Sequence, residues 1–116
     1  MEKYIIKGKT ALKGTVRISG AKNAAVAVLP AAVLTDKTVF LDNLPDITDV
    51  RTMISILEDL GVTIRRRGRN ALELTPDHLS KCAPSYELVK KMRASYYFMG
   101  SLLARFGEAE VPVPGG

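Results

Sequence analysis

Apolar and polar residues are arranged along this chain in a way that predicts seven elements in its first 75 residues. Residues 4–7 predict a first short strand, and residues 15–19 alternate in the manner of a half-buried strand. Residues 23–34 are apolar almost throughout, which predicts a helix buried on all sides and kinked at Pro30. Residues 39–41 predict a further strand.

A second helix is predicted over residues 49–60, followed by a hairpin. One stripe of this helix is apolar, formed by Ile47, Val50, Ile54, Leu57 and Leu60. Thr48 or Asp46 is the predicted N-cap, and Gly61 is a natural residue to end the helix. Residues 62–65 and 71–74 then predict two strands joined around residues 68–70.

The pattern begins again about 72 residues later, which indicates an internal repeat. Residues 87–91 resemble the strand 15–19, residues 93–95 resemble the turn 21–23, and residues 96–106 predict a second apolar helix. Residues 107–113 resemble residues 35–41. One long helix over residues 86–105, capped by Ser85, is the alternative. The repeat instead favours a helix that begins near Arg93.

Composition indicates one folded domain with few aromatic residues. The chain has 116 residues, of which 47% are hydrophobic and 25% charged, with four Tyr, three Phe and no Trp. We therefore expect a core of Ala, Val, Ile and Leu. The net charge of +5 favours anionic partners but is too small to indicate nucleic acid. The cluster Arg65, Arg66, Arg67 and Arg69 is expected to be a solvated hairpin tip.

Cysteine and histidine indicate neither a metal site nor a nucleophile. The single cysteine, Cys82, excludes an intramolecular disulfide, and the single histidine, His78, lies four positions before it in a polar stretch. A Cys–His catalytic pair is not favoured there.

Charged residues interrupt the N-terminal region, and the longest apolar run is too short to span a bilayer. We expect a cytoplasmic protein with no membrane partner.

The segment 18–25 carries the chemistry that is most informative in this chain. Lys22 and Asn23 lie in a turn of small residues directly before the apolar helix. A helix N-terminus has unpaired N–H groups and a partial positive charge, so this turn predicts an anion site. In the repeat, Arg93 occupies the equivalent turn, and both repeats would present a cation at a helix N-terminus.

Several motifs resemble the enolpyruvyl transferase family, in particular the UDP-N-acetylglucosamine 1-carboxyvinyltransferases. They are Ser-Gly-Ala-Lys-Asn-Ala at 19–24, Asn-Leu-Pro-Asp-Ile-Thr-Asp-Val at 43–50, Leu-Glu-Asp-Leu-Gly at 57–61, Lys-Met-Arg-Ala-Ser at 91–95, Leu-Ala-Arg-Phe-Gly at 103–107 and Pro-Gly-Gly at 114–116. Because they are separated and occur in the family's order, the resemblance covers essentially the whole chain.

The resemblance implies an α/β (α+β) fold, the inside-out α/β barrel made of repeated βαβαββ units. About one and a half units are present in these 116 residues. It further implies that residues 1–20 are strands of the other domain of the parent protein. Residues 21–116 would be part of the first domain that the chain enters, and Lys22 would face the cleft between the domains. We expect the sequence to be an N-terminal piece of a longer enzyme.

The same resemblance implies transfer of the enolpyruvyl group of phosphoenolpyruvate to the 3′-hydroxyl of UDP-N-acetylglucosamine, with release of phosphate and without a cofactor. Lys22 and Asn23 match the residues that contact phosphoenolpyruvate. Arg93 matches an arginine associated with UDP-N-acetylglucosamine. No catalytic residue is assigned within the chain, because the acid cysteine of the family would follow Gly116 and the base would come later. Cys82 does not occupy that position.

Two alternatives remain open at this point. One is the related enzyme that uses shikimate 3-phosphate, 3-phosphoshikimate 1-carboxyvinyltransferase, although its first turn favours Ser-Lys-Ser over the Ala-Lys-Asn of residues 21–23. The other is a small basic α/β module that binds nucleic acid. The absence of an RNP-like aromatic pattern and of a GxxG clamp in the sequence disfavours this module.

The 116 residues alone are predicted to be inactive, because the acid and base of an addition–elimination reaction are not assigned among them. The measurement is phosphate release from phosphoenolpyruvate in the presence of UDP-N-acetylglucosamine. Release above the uncatalysed rate would contradict the prediction.

Overall fold

The computed structural model of the chain describes residues 1–80 and 82–113. Their helices are α1 (Lys22–Ala31), α2 (Thr48–Leu60), α3 (Tyr86–Val89) and α4 (Tyr97–Phe106). A 3-10 turn, Ala32–Leu34, extends α1, and another, Arg93–Tyr96, leads into α4. The strands are β1 (Val39–Leu41), β2 (Thr63–Arg66) and β3 (Leu72–Thr75). This mixture confirms the predicted α/β class.

The three strands form one antiparallel sheet in the order β1-β3-β2. Leu74 of the central strand pairs with Val39 on one side and with Ile64 on the other. The predicted strand 39–41 and the predicted hairpin are therefore confirmed, with each hairpin strand shifted by one residue. Leu72 and Leu74 are buried on the same face of the sheet, as the alternation of side chains in a strand requires.

Helix α2 supplies most of the core, and its predicted apolar stripe is confirmed. Six of its residues are buried: Val50, Met53, Ile54, Ile56, Leu57 and Leu60. The predicted cap is wrong, because Ile47 is the N-cap residue and no side chain caps the helix. Asp46 instead accepts hydrogen bonds from Nε and Nη2 of Arg51, at 2.9 and 2.8 Å. These contacts hold the pKa of the Asp46 carboxyl below its usual range.

Gly61 ends α2 as predicted, in the left-handed conformation with φ of 102°. The Gly61 N–H donates to the carbonyl of Glu58, and the Val62 N–H donates to the carbonyl of Leu57. This pair of bonds is the Schellman motif, which satisfies carbonyls that the helix itself leaves unpaired. The motif turns the chain directly into β2.

Helix α1 is buried on one side only, which corrects the prediction of a helix buried all round. Ala25, Val26, Leu29 and Pro30 are buried, whereas Val28 is 45% exposed. Among the described residues, α1 packs against α2 and α4 and against its own 3-10 extension. Beyond Pro30, which has no N–H to donate, the α-helix tightens into the 3-10 turn after one more residue.

The core also contains larger side chains than the composition suggested. Phe98 and Leu102 of α4 are fully buried, together with Leu29 of α1 and Met53 of α2. They belong to one cluster that joins all three long helices to the sheet. The few aromatic residues of the chain therefore include one at the centre of the core.

Residues 1–20 form no helix or strand, so the strands predicted at 4–7 and 15–19 are not present in this structure. A strand requires a neighbour for its backbone hydrogen bonds, and no other described residue pairs with this segment. The large apolar side chains of Tyr4, Ile5, Ile6 and Ile18 are at least 79% exposed. The alternation of residues 15–19 favours an extended backbone, but a strand also needs a neighbouring strand to pair with.

The second repeat departs from the first in its local structure. The strand predicted at 87–91 is wrong, since Tyr86–Val89 forms helix α3. Its backbone N–H groups bond to nearby carbonyls, and the Ser85 N–H donates to Oδ2 of Asp59 at 2.9 Å, which docks α3 on the end of α2. The described residues of 107–113 contain no strand. The Pro-Gly-Gly motif at 114–116 lies outside the described residues.

A single long helix from residue 86 is also excluded. Met92 is extended, with φ of −152° and ψ of 119°, and it separates α3 from the 3-10 turn at Arg93. The prediction that a helical segment begins near Arg93 is confirmed. Its equivalent in the first repeat, Lys22, is the first residue of α1.

We predict that Gly61→Ala destabilises the fold by at least about 2 kcal/mol, because a Cβ there is strained by the left-handed backbone. That Cβ would also lie 2.0 Å from the carbonyl oxygen of His78. Gly68→Ala is the matched control: φ is also positive, at 87°, but a Cβ would meet nothing within 4 Å. Urea unfolding measures both variants. Equal losses of stability would contradict the close contact at Gly61.

Candidate functional site

Three N-terminal turns meet around one open cleft of about 330 Å³. The start of α1, the first turn of α2 and the segment leading into α4 form its walls. The lining residues are Lys22, Asn23, Val26, Asp49, Lys91, Met92, Arg93 and Ala94. The three residues predicted from the sequence, Lys22, Asn23 and Arg93, thus line the same cleft, which we call the cation cleft.

The backbone before Lys22 is fixed by a close contact with the loop that precedes α2. A Cβ on Gly20 would lie 1.8 Å from the carbonyl oxygen of Asn43, so only glycine fits between these segments. Ala21 is the N-cap residue, and its carbonyl accepts the first helical bond from Ala25 at 3.0 Å. Lys22 therefore stands where the chain leaves this contact and enters α1.

The N-terminus of α1 has no side-chain cap. Asn23 is exposed in the first turn and is not the N-cap residue. It therefore does not have the helix-capping role that asparagine often takes. The first N–H groups of the helix, which have no partner within it, remain open to a ligand. Such groups favour an anion, and the helix dipole acts in the same direction.

Arg93 is positioned by an extended residue and a buried serine. Met92 is extended and only 7% exposed, and it belongs to the hydrophobic core, while its neighbours Lys91 and Arg93 line the cleft. Ser95, which is fully buried, donates from Oγ to the carbonyl of Met92 at 2.6 Å. The same oxygen lies 3.3 Å from the carbonyl of Val89. Ser95 thereby ties the turn of Arg93 to the end of α3.

Asp49 is the acidic residue of the cation cleft, and the sequence reasoning missed its role. Its carboxylate forms an ion pair with the ammonium of Lys22. Asp49 lies in the first turn of α2, where the helix dipole stabilises a negative charge. The signal in the sequence was its place in the motif at 43–50, but only the packing of α2 on α1 shows that the two side chains meet.

Positive charge exceeds negative charge in the cleft. Lys22, Lys91 and Arg93 are opposed by Asp49 alone. Within residues 1–80 and 82–113, Lys91 and Arg93 have no ion pair. An arginine fork can bind a carboxylate or phosphate through two parallel hydrogen bonds, and a lysine adds a point charge. The arrangement can therefore hold a ligand with more than one anionic group.

The arginine cluster of the hairpin is exposed as expected, and two of its four members are ion-paired. Arg67 donates from Nε to Oε2 of Glu73 at 2.6 Å, and Arg65 lies 4.0 Å from the same carboxylate on the neighbouring strand. The Glu73 side chain is only 12% exposed. These pairs stabilise the sheet and use part of the positive charge that could have attracted nucleic acid.

Cys82 and His78 have separate partners. The Cys82 thiol lies 3.8 Å from Oε1 of Glu108, and Nε2 of His78 lies 3.6 Å from Oδ2 of Asp77. Neither residue lines the cation cleft.

In the part of the chain that is described, no group of three or more acidic, cysteine or histidine side chains could hold a metal ion. No helix there has the length and apolar character needed to cross a bilayer.

Residues 6–116 match the sequence model of the EPSP synthase (3-phosphoshikimate 1-carboxyvinyltransferase) family. The chain is 50% identical over 116 residues to UDP-N-acetylglucosamine 1-carboxyvinyltransferase 3 of Caldanaerobacter subterraneus, covering all of this chain and 28% of that relative. It is 49% identical over 115 residues to UDP-N-acetylglucosamine 1-carboxyvinyltransferase 2 of Listeria monocytogenes, covering 99% of this chain and 27% of the relative. The chain thus spans little more than a quarter of the length of these relatives.

The fold is also similar to a solved structure. The crystal structure of the enolpyruvyl transferase NikO from Streptomyces tendae superposes with a TM-score of 0.71 at 26% sequence identity, over 86% of this chain and 23% of NikO. The match to the family, the identity to relatives along the whole chain and the shared fold agree. They exclude the alternative of a small nucleic-acid-binding module. The chain belongs to the EPSP synthase family of enolpyruvyl transferases.

Proposed function

We propose that this chain is part of an enolpyruvyl transferase that moves the enolpyruvyl group of phosphoenolpyruvate to the 3′-hydroxyl of UDP-N-acetylglucosamine and releases phosphate. This reaction is the first committed step of peptidoglycan synthesis and belongs in the cytoplasm. The supporting observation is the identity of 46–50% along the entire chain to relatives named for this activity. Since the chain spans 28% of those relatives, the activity is that of a protein of their length.

Lys22 and Asn23 are the proposed contacts to phosphoenolpyruvate. This substrate carries a carboxylate and a phosphate, so its site needs several fixed positive groups. Lys22 supplies an ammonium at the mouth of the cation cleft, and the uncapped N-terminus of α1 supplies N–H donors beside it. The amide of Asn23 adds a donor that does not change the charge of the site.

Arg93 is the proposed contact to the nucleotide sugar. UDP-N-acetylglucosamine carries a diphosphate, and a guanidinium can bind phosphate oxygens through two parallel hydrogen bonds. Ser95 holds the turn that presents Arg93, and Lys91, two residues before Arg93, lines the same cleft. The two substrates would therefore both contact the cation cleft.

Proton transfer is not assigned to the described residues. The addition of a hydroxyl to phosphoenolpyruvate needs an acid for the methylene carbon and a base for the hydroxyl. Cys82, with its thiol directed to Glu108 and away from the cation cleft, is not the proposed acid. The contribution of this chain is to bind and orient both anionic substrates.

Residues 1–20 are proposed to belong to the second domain of the whole protein, and residues 21–116 to the first. The exposed apolar residues of the N-terminal segment support this division, since a strand that carries such residues is stable only when paired and covered. Gly20, held against Asn43, would then mark the point where the chain passes between the domains.

The acceptor distinguishes the proposed activity from that of the related shikimate enzyme. In a protein of family length containing this chain, we expect phosphate release from phosphoenolpyruvate with UDP-N-acetylglucosamine and none above background with shikimate 3-phosphate. The measurement is the initial rate of phosphate release with each acceptor. Turnover with shikimate 3-phosphate alone would overturn the proposal.

Substitution of the two cations should affect the two substrates separately. Loss of a charged hydrogen bond predicts a rise in KM of about tenfold or more. We expect Lys22→Ala to raise the KM for phosphoenolpyruvate, and Arg93→Ala to raise the KM for the nucleotide sugar. Lys37→Ala is the control, because Lys37 lies outside the cleft and its side chain is 83% exposed. Equal effects of all three variants would contradict the assignments.

Ser95→Ala should loosen Arg93 without removing it. The loss of its hydrogen bonds predicts a destabilisation of about 1 kcal/mol and a rise of a fewfold in the KM for the nucleotide sugar. Ser101→Ala is the matched control, since Ser101 is also buried and its hydroxyl donates to the Phe98 carbonyl within α4, at 3.3 Å. Melting temperature and both KM values are measured. An unchanged KM in Ser95→Ala would show that Arg93 does not depend on this serine.

A further inference from the structure

We infer that Asp49 is a positioning residue that holds the Lys22 ammonium in place for phosphoenolpyruvate. The inference deepens the proposed function and rests on it. Its basis is the ion pair between these two side chains inside the cation cleft, formed by the first turns of two different helices. Asp49 is not proposed to touch the substrate.

Lys22 needs a partner to remain in the cleft. It is the first residue of α1, where the helix dipole repels a cation, and Lys91 and Arg93 line the same space. Its side chain is 57% exposed and has four rotatable methylene groups. Without an attractive contact, such a side chain would extend into solvent and lose less conformational entropy there.

Asp49 is suited to hold this cation because, within residues 1–80 and 82–113, Lys22 is the only ion-pair partner of its carboxylate. The N-terminus of α2 has no side-chain cap, so Asp49 does not bond to its own helix in that way. Arg51, the nearest cation along the chain, is taken by Asp46 through two hydrogen bonds. The Asp49 side chain is 34% exposed, which keeps it accessible to Lys22 at the edge of the cleft.

A carboxylate is unexpected in a site that binds anions, and Asp49 could act there in two ways: it could repel the substrate, or it could orient Lys22. By its charge alone Asp49 would repel phosphoenolpyruvate, and its removal would strengthen binding. By orienting Lys22, it lowers the entropy that the lysine loses when the substrate binds. The two roles predict opposite changes in affinity when the charge is removed, so kinetics can separate them.

The test uses Asp49→Ala and Asp49→Asn in the protein of family length. We expect the KM for phosphoenolpyruvate to rise about fivefold, the upper range for a partly exposed ion pair. The KM for UDP-N-acetylglucosamine should change less than about twofold, and Asp49→Glu should restore part of the loss. Asp46→Ala is the matched control: it also removes an ion-paired carboxylate next to α2, but outside the cation cleft.

A double-mutant cycle tests whether Asp49 acts through Lys22. In a Lys22→Ala background, Asp49→Ala should no longer raise the KM for phosphoenolpyruvate, and it should lower this KM to the extent that the unpaired carboxylate repels the substrate. If turnover is too slow, the dissociation constant for phosphoenolpyruvate serves instead. The inference is overturned by a lower KM in Asp49→Asn, by equal effects in both backgrounds, or by an effect matched by Asp46→Ala.

Failure of the proposed function would give different kinetic results from failure of the role of Asp49. In that case the unsubstituted protein would show no transfer to UDP-N-acetylglucosamine, or Lys22→Ala would leave the KM for phosphoenolpyruvate unchanged. An active protein that is sensitive to Lys22→Ala but not to Asp49→Ala would overturn the role of Asp49 alone.

Discussion

The burial of the apolar stripe of α2 is the interaction on which the rest of this structure depends. Met53, Ile56, Leu57 and Leu60 are fully buried, and each contributes about 2 kcal/mol relative to an exposed position. Helix α2 packs against α1, α3 and β2. Because α1 and α2 lie together with their N-terminal turns at the same end, a residue from each start, Lys22 and Asp49, can meet.

The cation cleft follows from this packing together with two local constraints. Gly20 allows the backbone to pass the Asn43 carbonyl, which fixes the entry into α1. Ser95 bonds to the carbonyls of Met92 and Val89, which fixes the exit from α3 and the direction of Arg93. Neither constraint involves a charged group. The charges are therefore placed by backbone geometry, and positive charge is in excess because Asp49 is the single acidic residue that lines the described cleft.

Much of the fold could be predicted because its signals are local. The stripe of α2, the left-handed glycine that ends it and the strand 39–41 are each encoded within a few residues, and all are present. The errors arose where the structure of a segment depends on the elements that pack against it. An apolar helix has no preferred face, so the exposure of Val28 depends on which elements cover α1. Residues 87–91 contain a pattern that suits a strand, yet without a neighbouring strand they form local helical bonds and dock on Asp59.

For the site, the sequence by itself determined which residues supply the cations and that they lie at the starts of helices. Lys22, Asn23 and Arg93 were recognised because the unpaired N–H groups of a helix start make such turns suitable for anions, and because the motifs around them resemble those of a known family. Only the tertiary structure decided that these residues share one cleft, that Lys91 joins them and that Asp49 faces Lys22. The physical reason is that the two turns are about 70 residues apart in the chain, and only the packing of α1 with α2 and α4 brings them together.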